Sequence, residues 1–246
     1  MKSLIDSFDA SRDDIERLVA QSLKGSDDGE LFVEYREAEA LVFDNGRLKT
    51  GSFNQDQGFG LRSVAGEAIG YAHAGDLSLA ALKRASDAVS ATLKGYGGNY
   101  SAAPAGTNRH LYTDENPIGS PTFDSKVQLL QQIDAYLRAK DPKVRQVSVS
   151  LAGSWQQVEI LRADGHFVRD IRPMVRLSVA VVAGDGDRQE SGSHTVGGRK
   201  GFGEFITAES WQHAADEALR QALVNLEAIP APAGTFDIVP VSYTHL

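Results

Sequence analysis

The stretch Gly51–Tyr71, GSFNQDQGFGLRSVAGEAIGY, constrains this chain more than any other. It leaves an Asp44-Asn45-Gly46 turn, the strongest short hairpin signal in the sequence, through a strand over Arg47–Phe53. It continues through Gly58-Phe59-Gly60-Leu61-Arg62-Ser63, turns at Ala65-Gly66 and returns through Ala68–His73. Glycines spaced this way either permit positive φ or let another backbone come close. Such a run is either a packed sheet edge or a surface that another chain meets.

The flanking segments supply a core for that sheet. Ser11, with Asp14 three residues on, caps a helix whose apolar stripe is Ile15, Leu18, Val19 and Leu23. Leu31–Arg36 and Glu39–Asp44 read as two strands, and Ser78 caps a helix carrying Leu79, Leu82, Val89 and Leu93. Gly95–Thr122 lacks periodicity and reads as a boundary or functional loop, with Tyr96, Tyr100, Leu111 and Tyr112 able to pin parts of it to a surface. A second helix-and-meander unit follows. A helix from about Asp124 buries Val127, Leu130, Ile133 and Leu137, and strands follow with Val147, Val149 and Leu151, then Val158–Arg162 and His166–Ile171. Val175, Leu177, Val179 and Val181 alternate before a Gly184-Asp185-Gly186 turn into Arg188–His194, and Trp211, Ala215, Leu219, Leu223 and Leu226 stripe a closing helix. The expected fold is α+β: antiparallel sheet meanders flanked by helices, in two packed units. The expected division is 1–95 for the first unit, 96–122 for a linker or long loop, 123–234 for the second, and 235–246 for the start of a further domain.

Composition narrows the function. A net charge of −8 leaves no excess of Lys and Arg for phosphate neutralisation, so no nucleic-acid partner is expected. No apolar run is long enough to span a bilayer, and the N-terminus has no signal-peptide core, so the expectation is a cytoplasmic protein with no membrane contact. The absence of cysteine excludes thiol chemistry and disulfides within these residues.

Motifs for catalysis are missing. The six histidines (His73, His110, His166, His194, His213, His245) include no i, i+4 pair and no HExxH motif, so no internal metal site is expected. The loop Val196–Gly203 presents glycines with Arg199 and Lys200, and reads as a hairpin tip more readily than as an anion cradle. Asp170-Ile171-Arg172-Pro173 reads as an internal ion pair or solvated turn, with Arg172 or Arg176 reaching into a groove to hold a peptide carboxylate or backbone as the functional alternative. Gly58, Gly60, Arg62, Arg172 and Arg176 are the candidate residues of a peptide groove, and no catalytic residue is assigned.

Four segments resemble the TldD/PmbA family, and its TldD branch more than its PmbA (TldE) branch. They are Gly51–Arg62 with Gly66 and Tyr71, then DIRPMVRLSVAV at Asp170–Val181, the glycine loop at Gly197–Phe205, and ALVNLEAIPAPAGT at Ala222–Thr235. The resemblance implies a cytoplasmic zinc metallopeptidase acting as a TldD–TldE pair on extended, unstructured peptides. It places the catalytic HExxxH and a later cysteine in a C-terminal domain, and none of those positions occurs here. The implied role is therefore substrate guidance and assembly, with a TldE/PmbA-like partner subunit. Extended peptide is expected to add as a strand to the Gly51–Tyr71 sheet, and zinc to be held by the full-length protein and not by these residues. The alternative is a non-catalytic partner or gyrase-modulator-like interaction module. Thr235–Val241 reads as a strand opening a further unit. The ending Val241-Ser242-Tyr243-Thr244-His245-Leu246 departs from the family and is expected to be adapter-derived, since one codon choice for it reproduces a transposase end sequence.

Overall fold

Asn45 and Gly46 both take positive φ, 50° and 78°, the conformation that a two-residue hairpin requires. The chain therefore folds β1 (Asp28–Asp44) directly back on β2 (Arg47–Ala65), in register from Asp28↔Val64 to Asp44↔Arg47 with a bulge between Val42 and Phe43. Gly66, at φ 59°, turns β2 into β3 (Ala68–Ala74). Three further strands repeat this plan: β4 (Val144–Arg162), β5 (Phe167–Asp185) and β6 (Arg188–Gly198). These relations come from a computed structural model that describes residues 3–103 and 111–237.

The two meanders form one antiparallel sheet of six strands. β1 pairs with β4 from Glu30↔Arg162 to Asp44↔Ser148, giving the order β3-β2-β1-β4-β5-β6. Each half places its first strand at the centre and its last at an edge. The fold is α+β, as its sequence pattern predicts.

The strands are longer than the pattern suggests. Leu31–Arg36 and Glu39–Asp44 are parts of one strand of 17 residues, and Arg47–Phe53 and Gly58–Ser63 are parts of one of 19. The apparent break at Glu37 is polar but satisfied. Its carboxylate accepts from Tyr35 Oη (2.7 Å), Gln55 Nε2 (3.1 Å) and Asn116 Nδ2 (2.6 Å), so the ladder runs through it.

The described helices lie on one face of the sheet. α1 (Arg12–Ser22) and α2 (Leu79–Ser90) are capped by Ser11 and Ser78, whose hydroxyls accept the Asp14 and Ala81 N–H groups. They bury Ile15, Val19, Leu82 and Val89 against Leu31, Val33, Phe59 and Leu61. α3 (Phe123–Lys140) and α5 (Ala208–Glu227), capped by Thr122 and Thr207, bury Leu130, Ile133, Ala215 and Leu219 against Leu41, Val149, Leu177 and Val179. A short α4 (Phe202–Phe205) drops Phe202 onto Gly153, where a side chain would meet the ring at 2.9 Å.

The connection between the halves has no helix or strand among its described residues. Its tyrosines pin it by their hydroxyls. Tyr96 Oη donates to Asp27 (2.5 Å), Tyr100 Oη donates to the Gly29 carbonyl, and Tyr112 Oη donates to Asp170 (3.1 Å). Leu111 is 77% exposed, so it is not buried as an apolar pin would be. Residues 235–237 carry no strand, and the remainder of the strand expected at Thr235–Val241, with the terminal hexapeptide, lies outside the described residues.

Candidate functional site

Pleating directs the odd-numbered residues of β1, β2, β4 and β5 under the helices and the even-numbered ones to the opposite face. Among the described residues, no helix packs on that second face. Register then sets its centre. Asn54, Ala38, Ser154 and Met174 stand side by side across β2, β1, β4 and β5. The adjacent row is Ser52, Ala40, Ala152 and Arg176, continued by Gly197 on β6. Two neighbouring rows of mostly short side chains leave a trough of about 760 Å³ running across the strands, with Arg36 and Arg176 on its rim.

The candidate residues distribute unevenly around this trough. Arg176 lines it and is exposed. Arg172 stands in the next row beside Gln156, with its Nε donating to Asp170 at 2.6 Å. Arg62 is committed elsewhere, to Glu30 (2.7 Å) and Asp28 (3.1 Å), and its hydrogen bond to Glu30 raises its pKa above the ordinary arginine value. Gly58 and Gly60 line a separate depression of about 370 Å³ with Tyr71 and His73, whose rings stack with centroids 5.6 Å apart.

The glycines answer a packing need within the chain. A Cβ at Gly58 would lie 2.8 Å from the Ala74 carbonyl, and one at Gly60 would lie 2.8 Å from Tyr71 Oη. They let β3 and its aromatic residue close on β2. β3 pairs with β2 from Phe59 to Ala65, so an added strand has no ladder to join there. Residues 47–57 of β2, by contrast, pair with β1 alone among the described residues.

Two groupings were invisible in the sequence. His194 on β6 and His213 on α5 come into edge contact, with ring centroids 5.5 Å apart. Their residue spacing gives no hint of this, since they sit on different elements. Lys126 is 1% exposed, with Nζ donating to Glu39 and to the Ile118 carbonyl (2.8 Å) and lying 4.9 Å from the Phe202 ring. Its position on an apolar helix face is the only sequence clue. The trough itself had a readable signal, small residues at i and i+2 in three strands: Ala38/Ala40, Ser52/Asn54 and Ala152/Ser154.

Residues 29–92 match the PmbA/TldA metallopeptidase domain 1, and residues 116–226 match the PmbA/TldA metallopeptidase central domain. The chain belongs to the PmbA/TldD metallopeptidase family. A Haemophilus influenzae metalloprotease TldD homolog is 37% identical over 226 residues, covering 89% of this chain and 47% of its own length. A Buchnera aphidicola metalloprotease TldD homolog is 30% identical over 220 residues, covering 87% and 46%. The chain thus spans about half the length of the curated relatives it matches. In fold it is similar to a Thermotoga maritima protein assigned as a modulator of a DNA gyrase, with TM-score 0.71 and 15% identity over 91% of this chain and 49% of that one. TldE from Thermococcus kodakarensis superposes with TM-score 0.69 and 15% identity, over 85% and 47%.

Membership in a metallopeptidase family raises the question of a metal. Among the described residues no group of three or more His, Cys, Asp or Glu side chains is placed to hold an ion. His194 and His213 are two imidazoles, short of the three or four protein ligands a zinc site takes. Among the described residues, that donor set falls short of a zinc site. No described helix is long and apolar enough to cross a membrane.

Proposed function

We propose that this chain is the peptide-guiding and assembly portion of a TldD-type metallopeptidase, and that its trough holds a segment of extended, unstructured peptide. The carrying observation is the trough: two rows of short side chains cross four strands on a face without helices, with cations at the rim. A groove floored by short, mostly apolar side chains accepts backbone and small side chains without demanding a sequence, which suits a peptidase acting on unfolded chains. The zinc of the family, and with it hydrolysis, is assigned to residues outside those described, in line with the donor set above. A PmbA/TldE-like subunit is the proposed partner, and the cytoplasm the proposed compartment.

The unpaired edge of β2 favours a second mode, in which peptide adds as a strand along residues 47–57. Hydrogen exchange of the 246-residue chain with and without an unstructured peptide separates the two. Ala40→Leu fills the trough and is expected to abolish peptide binding while the circular dichroism spectrum stays unchanged. Protection confined to residues 47–57 and insensitive to Ala40→Leu would move the site to the edge. With zinc added, no peptide hydrolysis is expected, and zinc-dependent turnover would refute the division of labour.

A further inference from the structure

We propose that Arg176 is a carboxylate anchor: it fixes one end of the peptide in the trough by pairing with a carboxylate that the peptide carries. This rests on the reading of the trough as a peptide site and adds polarity and selectivity to it.

The other arginines of this face already face acidic partners. Arg62 is paired with Glu30 and Asp28, Arg162 with Asp28 at 3.0 Å, and Arg172 with Asp170. Arg36 stands directly opposite Asp56 on β2. Arg176 differs. Its partners across the ladder are Ala152 and Gly197, and its same-face neighbours along β5 are Met174 and Ser178. None is acidic. Among the described residues Arg176 makes no ion pair, in a chain where 33 acidic residues outnumber 25 basic ones. A cation left without a carboxylate in an acidic protein is a place where an incoming carboxylate meets no competitor.

The surroundings also keep the approach open. Opposite Arg176 stands Gly197, where a Cβ would lie 2.3 Å from the Val175 carbonyl, so the close approach of β6 to β5 admits no side chain there. With Ala152 on the other side, the guanidinium has short neighbours on both flanks. A planar guanidinium binds a carboxylate through two parallel N–H···O bonds, which fixes direction as well as affinity. The carboxylate comes from the peptide C-terminus or from an Asp or Glu side chain. The chemistry is the same, and the assay distinguishes the sources.

The test is fluorescence anisotropy on the 246-residue chain with a labelled, unstructured, uncharged peptide in three forms: free C-terminus, C-terminal amide, and amide with one internal Glu. At low salt the free acid or the Glu-bearing amide is expected to bind about tenfold tighter than the plain amide. Whichever form gains identifies the source. Arg176→Gln should bring that form down to the level of the amide, Arg176→Lys should keep part of the gain, and raising salt should shrink it. Equal binding of all three forms to the unaltered chain overturns the anchor while leaving the trough as a peptide site. A preference that survives Arg176→Gln overturns the assignment to Arg176. Failure of every form to bind, the plain amide included, overturns the trough reading and the anchor together.

Discussion

Lys126 shows how a single charged side chain can be structural and look functional. It is 1% exposed, with Glu39 at its Nζ and the Phe202 ring beside it. Ion pairs taken out of water recover their desolvation cost only when both members stay paired. Lys126→Met therefore leaves Glu39, whose side chain is 16% exposed, without its partner. The expected loss is about 3 kcal/mol, at the lower end of the range because Glu39 keeps some solvent. Adding Glu39→Leu should restore most of that loss. Urea denaturation of the two single variants and the double variant checks it, and a double variant whose loss equals the sum of the two single losses would show that the pair contributes no coupling. Gly60 teaches the same lesson from the opposite side. Its lack of a side chain makes room for Tyr71, so a Gly60→Val variant that loses peptide binding reports displacement of Tyr71 before it reports any contact with peptide.

Between elements, α5 packs closely on β6. A Cβ at Gly192 would lie 2.2 Å from the Ala218 carbonyl and 2.5 Å from the Ala222 nitrogen, both helix backbone, which cannot turn aside as a side chain can. Gly192→Ala must push the helix off the strand. Overpacking of this kind costs about 1–3 kcal/mol, or roughly 2–12 °C in Tm for a chain of this size. Calorimetry should show that loss, whereas Gly186→Asn, at a turn with φ 58° and open space around it, should change Tm by less than about 2 °C. The helices were legible because capping residues and apolar stripes are local signals: Ser11, Ser78 and the stripe through Trp211 and Leu219 all mark real elements. The strand-to-strand turns were legible for the same reason, since Asn45-Gly46, Gly66 and Gly186 need positive φ. The continuity of β1 was not, because it depends on Asn116 and Gln55 reaching Glu37 from elsewhere in the chain. The trough was legible only in part: its small residues at alternate positions stand in the sequence, but its rows exist only once β1–β4 and β4–β5 registers bring Ala40, Ala152 and Arg176 together.

At the scale of the whole molecule, β1 determines how the halves behave. Its first residues, Leu31 and Val33, belong to the core under α1 and α2, while Leu41 and Phe43 belong to the core under α3 and α5. A strand cannot leave one core and keep its place in the other without breaking the β1–β4 ladder, which runs from Glu30↔Arg162 to Asp44↔Ser148. The two halves should therefore unfold together, although chains of this length often do not unfold in one step. The tryptophans make this testable. Trp211 packs in the second core and Trp155 in a small cluster with Ile118 and Ile171, and the first core contains no tryptophan. Leu61, 0% exposed in that first core, is the site to perturb. Leu61→Ala removes buried methyl groups at a cost of about 2–5 kcal/mol. If the ladder couples the cores, tryptophan fluorescence and far-ultraviolet circular dichroism should shift to the same lower denaturant midpoint. A fluorescence midpoint left at its original value, with the circular dichroism transition split in two, would show that the halves are independent and that β1 pairs with β4 without binding their stabilities together.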